Sequence, residues 1–228
     1  MELAFVIPWV LRDTAPVPGG GELRLKQRGT EFSIMLGANE LMNSRLSGSE
    51  EALANLACAK ISERATAHVL IGGLGMGFTL RAALAKLEPG AKVTIGELVP
   101  AVVAWARGPI APVFAGSLED ERVEVKVGDV GDIIREGRGA YDAILLDVDN
   151  GPEGLTRESN DALYDLRGLS AARNALRSGG VLSVWSSGPN RAFTQRLRKA
   201  GFAVEEMSVR AKTTGGGARH VIWLATKP

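Results

Sequence analysis

An apolar run, His68 to Gly72, ends in three glycines separated by single residues, Gly73, Gly75 and Gly77, and a helix-like segment from Phe78 to Leu87 follows at once. A parallel strand turns into a helix beneath a ligand in this way. Glycine accepts positive φ and lets a ligand press on the backbone, and the helix N-terminus offers free N–H groups to polar ligand atoms. A plain strand–helix turn needs one or two glycines. Three in this spacing point to a nucleotide or nucleoside.

From Ala67 onward the pattern alternates between strand and helix. Strands are predicted at 67–72, 91–96, 122–127, 141–147 and 179–185, and helices at 77–87, 99–107, 130–136, 161–176 and 189–200. Such alternation predicts a parallel sheet covered on both faces. The end differs: Ala203 to Arg210 and His220 to Ala225 are strand-like with no helix between them, so they should pair antiparallel at the sheet edge. Before Ala67, Glu22–Arg28 and Glu31–Leu36 read as a β-hairpin about Gly29-Thr30, with a third short run at Glu40–Asn43. Residues 1–20 read as an irregular lead-in ending in Pro16-Val17-Pro18-Gly19-Gly20-Gly21. Ser49-Glu50-Glu51 reads as the cap of a helix with Ala52, Leu53, Leu56, Ala57 and Ile61 on one face. The expected fold is therefore α/β and Rossmann-like: a mostly parallel seven-stranded sheet closed by an antiparallel hairpin, at residues 49–228, preceded by a small N-terminal antiparallel β piece at 1–48. A parallel sheet ending in such a hairpin is the arrangement of class I S-adenosylmethionine-dependent methyltransferases, whereas a dinucleotide dehydrogenase usually keeps adding parallel units.

Composition excludes several classes. The 228 residues carry a net charge of +1, which gives no ground for a nucleic-acid or membrane-surface partner. The single cysteine, Cys58, forms no intrachain disulfide and sits in an alanine-rich helical segment as a small core residue. No apolar run reaches the length of a bilayer span, and Met1 to Val10 lacks a basic start and is cut by Pro8, so no signal peptide is read. A cytoplasmic home is the expectation from these features.

Open α/β sheets bind ligands at the carboxyl ends of their strands. After the second parallel strand stands Glu97, about twenty residues past the glycines. Its two oxygens suit two ribose hydroxyls, with Leu98 beside the base. After the third stands Asp129-Val130. Asp129 suits an adenine amino group and Val130 offers a backbone N–H to the ring, while Asp is equally a helix cap, and one residue can do both. After the fourth stands Asp147-Val148-Asp149-Asn150-Gly151-Pro152. Asp147 would lie beside the reactive end of the nucleoside, where a carboxylate orients an attacking nucleophile and takes its proton. Asp149 and Asn150 fit substrate contact and turn chemistry equally. Trp185 either packs on substrate or caps the core, and Tyr164 is open in the same way. His68 and His220 read as structural. No metal site is expected.

The order of motifs from about Leu23 to Phe202 resembles spermidine synthase-like proteins, a branch of the class I methyltransferase fold. The glycine loop with Thr79-Leu80-Arg81 is similar to that family's glycine-rich segment. Glu97-Leu98 with Pro100-Ala101-Val102 resembles its ribose motif, Arg122-Val123 through Gly128-Asp129 its adenine motif, and Tyr141 through Asp147 its catalytic strand. Leu163-Tyr164 and Gly180-Val181-Leu182 also fit. The resemblance implies a homodimer and a small-molecule acceptor. It also implies departures. An Asp that holds the donor's amine is Met76 here. A Tyr and an acid on the helix after the N-terminal strands become Leu53 and Asn55, and a Gln and an acid after the fifth strand become Trp185 and Ser187.

A diamine needs carboxylates to offset its desolvation. With several lost, and with Met76 removing a clash with the carboxylate of intact S-adenosylmethionine, the expectation is methyl transfer from S-adenosylmethionine to a small, less cationic nucleophile. Asp147 is the catalytic residue, Gly73, Gly75, Met76, Gly77, Glu97, Leu98, Asp129, Val130 and Asp147 itself hold the donor, and Asp149, Asn150, Tyr164 and Trp185 meet the acceptor. The alternatives are aminopropyl transfer from decarboxylated S-adenosylmethionine to a polyamine, and a non-catalytic nucleoside-binding homologue.

Overall fold

The computed structural model describes residues 7–148, 152, 162–212, 214 and 217–228. Four antiparallel strands come first: β1 (Val10–Pro16), β2 (Glu22–Arg28), β3 (Glu31–Leu36) and β4 (Asn39–Asn43), in sheet order 1-2-3-4. Helix α1 (Gly48–Lys60) leads to a seven-stranded sheet. Its elements run β5 (His68–Gly72), α2 (Phe78–Leu84), β6 (Lys92–Glu97), α3 (Pro100–Arg107), α4 (Ala111–Phe114), β7 (Val123–Val127), α5 (Val130–Glu136), β8 (Tyr141–Leu146), α6 (Leu166–Ala175), β9 (Leu176–Ser186), α7 (Arg191–Lys199), β10 (Ala203–Arg210) and β11 (Arg219–Thr226). The strand order is β10-β11-β9-β8-β5-β6-β7. Strands β5 to β9 are mutually parallel, while β11 runs antiparallel to both β9 and β10. This is the mixed α/β Rossmann-like fold that the alternation predicts, with a separate antiparallel sheet before it.

Two apolar layers cover the two faces, and the period of two along each strand sorts residues between them. Val69, Ile71, Val93, Ile95, Ala143 and Leu145 pack with α1, α2 and α3. Leu70, Ile144, Leu146, Leu182 and Val184 pack with α5, α6 and α7. All six residues of β8 are buried, as a central parallel strand requires.

The topology places the cleft. The chain leaves β5 toward β6 and β7, then returns to lay β8 on the other side of β5. Ligands bind outside the carboxyl ends at such a switch point. There Gly72 pairs with Leu146, and the Asp147 N–H donates to the Gly72 carbonyl (3.2 Å).

Three details differ from the expectation. Residues 10–16 form strand β1 rather than an irregular lead-in. Only Ala15 of that strand is buried, so backbone pairing to β2 holds it and no apolar alternation marks it. A Trp105 indole N–H to Asp13 Oδ2 hydrogen bond (2.7 Å) ties it to α3. Residues 111–114 and 117–119 form short helical turns in a stretch without helical periodicity. Helix α6 is capped by Asp165, whose carboxylate accepts from the Gly168 N–H (2.7 Å), and β9 begins at Leu176, before the expected 179.

Candidate active site

The glycine loop is shaped by two close contacts at residues with positive φ. Gly77 has φ +78° where α2 begins, and a Cβ there would run into the Phe114 ring. Gly73 has φ +87°, and a Cβ there would lie 3.0 Å from the Asp147 carbonyl oxygen. The loop and the residue after β8 are thereby pressed together.

Two lobes of one cleft meet at this point. The first is lined by Gly73, Gly75, Glu97, Leu98, Asp129, Val130 and Val148, with Leu23 and Leu36 from the N-terminal sheet. The second is lined by Glu50, Gly75, Met76, Gly77, Thr79, Leu46, Trp185 and His220. Leu41, Met42, Gly75 and Asp147 line both, so Asp147 stands at the junction with strand β4 across from it.

In the first lobe Glu97 already serves the backbone. Its Oε2 accepts the Leu74 N–H (2.9 Å) and its Oε1 the Val99 N–H (2.8 Å). Glu97 thus fixes the glycine loop and the entry to α3, and each oxygen keeps a lone pair for a ligand hydroxyl. Burial pushes its carboxyl above the usual carboxylate range, against the pull of those N–H groups. Asp129 caps α5, its Oδ1 accepting from the Gly131 N–H (2.7 Å), and also lines the lobe. Val130 packs beneath the strand ends, in contact range of positions built on Gly72 and Gly96.

In the second lobe Thr79 Oγ1 donates to Asp147 Oδ2 (3.1 Å) and lies 3.5 Å from the Glu50 carbonyl oxygen. Glu50 Oε2 accepts the Ser49 hydroxyl (2.7 Å). Burial at the floor of the cleft pushes Asp147 up to about 7, the negative charge of Glu50 adds to this, and the Thr79 hydroxyl opposes it. Burial likewise raises Glu50, while the Ser49 hydrogen bond pulls the other way. Two carboxylates that resist ionisation side by side form a site for a positive group.

The far wall is aromatic. Trp185 is paired with Ile222 across β9 and β11, and His220 lies two residues before Ile222 on the same sheet face. The two rings meet edge to face with centroids 4.7 Å apart. Trp185 Nε1 and His220 Nδ1 are buried with no hydrogen-bond partner among the described residues. Burial lowers the His220 pKa, which keeps the imidazole neutral near pH 7.

The sequence-based candidates therefore divide. Gly73, Gly75, Met76, Gly77, Glu97, Leu98, Asp129, Val130, Asp147 and Trp185 all line the cleft. Asp149 and Asn150 lie outside the described residues. Tyr164 is corrected: it is a core residue, 1% exposed, edge-on to Phe193, with its hydroxyl 3.4 Å from the Val148 carbonyl. Its aromatic bulk is used behind the cleft wall rather than in it. The structural reading of His220 is corrected by its place in the wall, while His68, at the opposite end of β5, bonds to Thr94 Oγ1 (2.9 Å). Glu50 and Thr79 were not singled out. The Ser49-Glu50-Glu51 segment does not cap α1 through a side chain, because the Ser49 hydroxyl turns to Glu50 and the helix begins at Gly48. Leu53 is fully buried and Asn55 exposed, so the acid that α1 brings to the cleft is Glu50, one turn before Leu53. Cys58 is buried, and burial pushes its thiol up to about 11, too high for a nucleophile at neutral pH. Among the described residues no helix is long and apolar enough to cross a membrane.

Comparison with known proteins agrees with this layout. Residues 47–198 match the spermine/spermidine synthase domain. The chain is 34% identical over 134 residues to a polyamine aminopropyltransferase of Korarchaeum cryptofilum, an alignment covering 58% of this chain and 40% of that protein. It is 32% identical over 157 residues to polyamine aminopropyltransferase 1 of Streptomyces coelicolor, covering 65% of this chain and 28% of the relative. The chain thus spans well under half of these relatives. In structure it is similar to a spermidine synthase in complex with the transition-state analogue AdoDATO, with a TM-score of 0.73 at 18% identity over 96% of this chain and 72% of the other. The spermidine synthase of Thermotoga maritima gives a TM-score of 0.72 at the same identity.

The expectation of a methyltransferase is corrected by these matches, which are to aminopropyltransferases. That expectation rested in part on a pocket that had lost several carboxylates, whereas Glu50 lines the cleft with Asp147. By its sequence over residues 47–198, this chain belongs to the spermine/spermidine synthase domain family.

Proposed function

We propose that the chain transfers an aminopropyl group from decarboxylated S-adenosylmethionine to an amine. The observation that carries this reading is the Glu50–Asp147 pair, with Asp147 at the junction of the two lobes and Glu50 in the second. An amine reaches the cleft as an ammonium, and two carboxylates offset the loss of its hydration. In this reading the nucleoside occupies the first lobe, its ribose on Glu97 and its base near Leu98, Asp129 and Val130. The sulfonium and its propyl arm then cross Gly75 toward Asp147.

The ammonium is not a nucleophile until it loses a proton. Asp147, raised to about 7, is matched to take that proton near neutral pH. Thr79 holds one of its oxygens, so the other is the one left to face the amine. The nitrogen lone pair then attacks the propyl carbon bound to sulfur. The new N–C bond forms as the C–S bond breaks, the electron pair stays on sulfur, and 5′-methylthioadenosine leaves as a neutral thioether. Alignment of the two substrates supplies much of the rate in such a displacement.

The test is formation of 5′-methylthioadenosine from the decarboxylated donor in the presence of primary amines. Amine-dependent release, lost in Asp147→Asn, is the expected result. No release with any amine contradicts the reading.

A further inference from the structure

Three residues that line the second lobe, Asp147, Trp185 and His220, stand in a row on one face of the sheet. Asp147 follows Leu146, which pairs with Val184, so it comes level with Trp185 on the neighbouring strand β9. Trp185 pairs with Ile222 on β11, and His220 lies two residues from Ile222, toward the carboxyl end of β9. Leu145, Trp185 and Ile222 pack in the first apolar layer, so by the period of two Asp147 and His220 share their face. Adjacent strands lie about 4.8 Å apart and residues about 3.3 Å apart along a strand, which puts the Cα atoms of Asp147 and His220 about 12 Å apart with Trp185 between them.

Resting on the aminopropyl-transfer reading, we propose that His220 is the residue that reads the acceptor's remote nitrogen. The reacting nitrogen lies at Asp147, the carbon chain crosses the indole of Trp185, and the remote nitrogen donates a hydrogen bond to His220 Nε2. The imidazole suits this task. Its Nδ1 is buried, so Nε2 is the ring nitrogen left to a ligand in the lobe. Burial keeps the ring neutral, and with the proton on Nδ1 the lone pair is on Nε2. An ammonium only donates, so a lone pair is what it needs at this wall. The edge-to-face contact with Trp185, centroids 4.7 Å apart, holds the imidazole in place. Length agrees as well. Hydrogen bonds of about 2.8 Å at the two ends leave about 6 Å between the nitrogens, the span of a short aliphatic diamine. The indole gives the methylenes an apolar floor, and its π face favours the positive charge beside it.

The experiment uses the purified full chain with decarboxylated S-adenosylmethionine and reads 5′-methylthioadenosine release. Linear α,ω-diamines of three to six carbons are each compared with the monoamine of the same carbon chain, which lacks only the remote nitrogen. In the parent protein the best diamine should exceed its monoamine at least tenfold in kcat/KM, the effect of one hydrogen bond to a charged group. His220→Phe keeps an aromatic ring beside Trp185 and removes both nitrogens. It should lower that ratio at least tenfold, with the change in KM for the diamine rather than in kcat. His220→Gln, whose amide oxygen reaches the place of Nε2, should recover part of the ratio. Equal use of diamine and monoamine by the parent, or an unmoved ratio in His220→Phe, overturns the inference and leaves aminopropyl transfer standing. Release with none of the amines overturns aminopropyl transfer itself, and the inference with it.

Discussion

The negative charge of Glu50, at the start of α1, holds the Asp147 carboxyl after β8 above its ordinary range, in addition to the larger effect of burial. Sequence separates the two residues by the whole first half of the α/β domain. The fold brings them to one cavity because α1 packs over β8 and β9, and β8 sits beside the strand that carries the glycine loop.

Glu50→Gln removes that repulsion. Asp147 should then ionise at lower pH, so the acid limb of the kcat/KM profile should move to lower pH. Binding of the amine should weaken about tenfold or more, because an ammonium loses one of two anionic partners. A pH–rate series on both proteins tests the two effects separately. An unmoved limb would contradict the coupling.

Asp147→Asn should lower kcat by about 10²–10⁴-fold, the usual contribution of a positioned general base. Affinity for the nucleoside donor should change little, since Glu97 and the first lobe are untouched. Stability should move the other way. The folded protein holds the Asp147 proton to about 7, against an ordinary value of 3.8. Between those values the native state binds more protons than the unfolded state, so stability falls as pH rises and the penalty is complete above 7. The variant should therefore melt higher than the parent at pH 8, by about 2–4 °C for each ~1 kcal/mol recovered. At pH 4 the difference should shrink. Thermal melts at the two pH values check the sign.

Thr79→Val deletes the hydroxyl that favours the ionised form of Asp147. The acid limb should move up in this variant, opposite to Glu50→Gln. A hydrogen bond to a charged group contributes about 1.5–3 kcal/mol, so kcat/KM at pH 7 should fall by about tenfold or more. Activity recovered on raising the pH would separate this effect from a misplaced α2.

Glu97→Gln replaces one carboxylate oxygen by an amide nitrogen that faces a backbone N–H. Either Leu74 or Val99 then loses its acceptor. The expected loss is about 1–3 kcal/mol of stability and a weaker donor, read by melting and by calorimetry with 5′-methylthioadenosine. Unchanged donor affinity would show that the ribose does not depend on this side chain.

Much of the frame is legible in the chain. Strands β5, β6 and β8 are short, apolar and buried on both faces, so their runs stand out, and the glycines follow β5 directly. Glu97, Asp129 and Asp147 are found by one rule, that ligand-binding residues follow parallel strands. The missed residues share a physical reason. Glu50 and His220 reach the cleft through tertiary packing, one at a helix start that reads as a cap and the other on an antiparallel strand that arrives from the sheet edge. No local spacing marks either. Strand β1 lacks an apolar face, and Tyr164 has the residue type of a substrate contact but the surroundings of a core. The methyl-transfer reading, overturned by the matches to aminopropyltransferases, counted acids as lost at Met76, Leu53, Asn55, Trp185 and Ser187 and overlooked Glu50, one turn before Leu53.

The most direct test of the account is the product formed from decarboxylated S-adenosylmethionine and a primary amine, read by mass. The account predicts an N-aminopropyl amine formed in equal amount to 5′-methylthioadenosine, with both lost in Asp147→Asn. An intact donor after prolonged incubation with every amine, in a protein that binds 5′-methylthioadenosine, would contradict it.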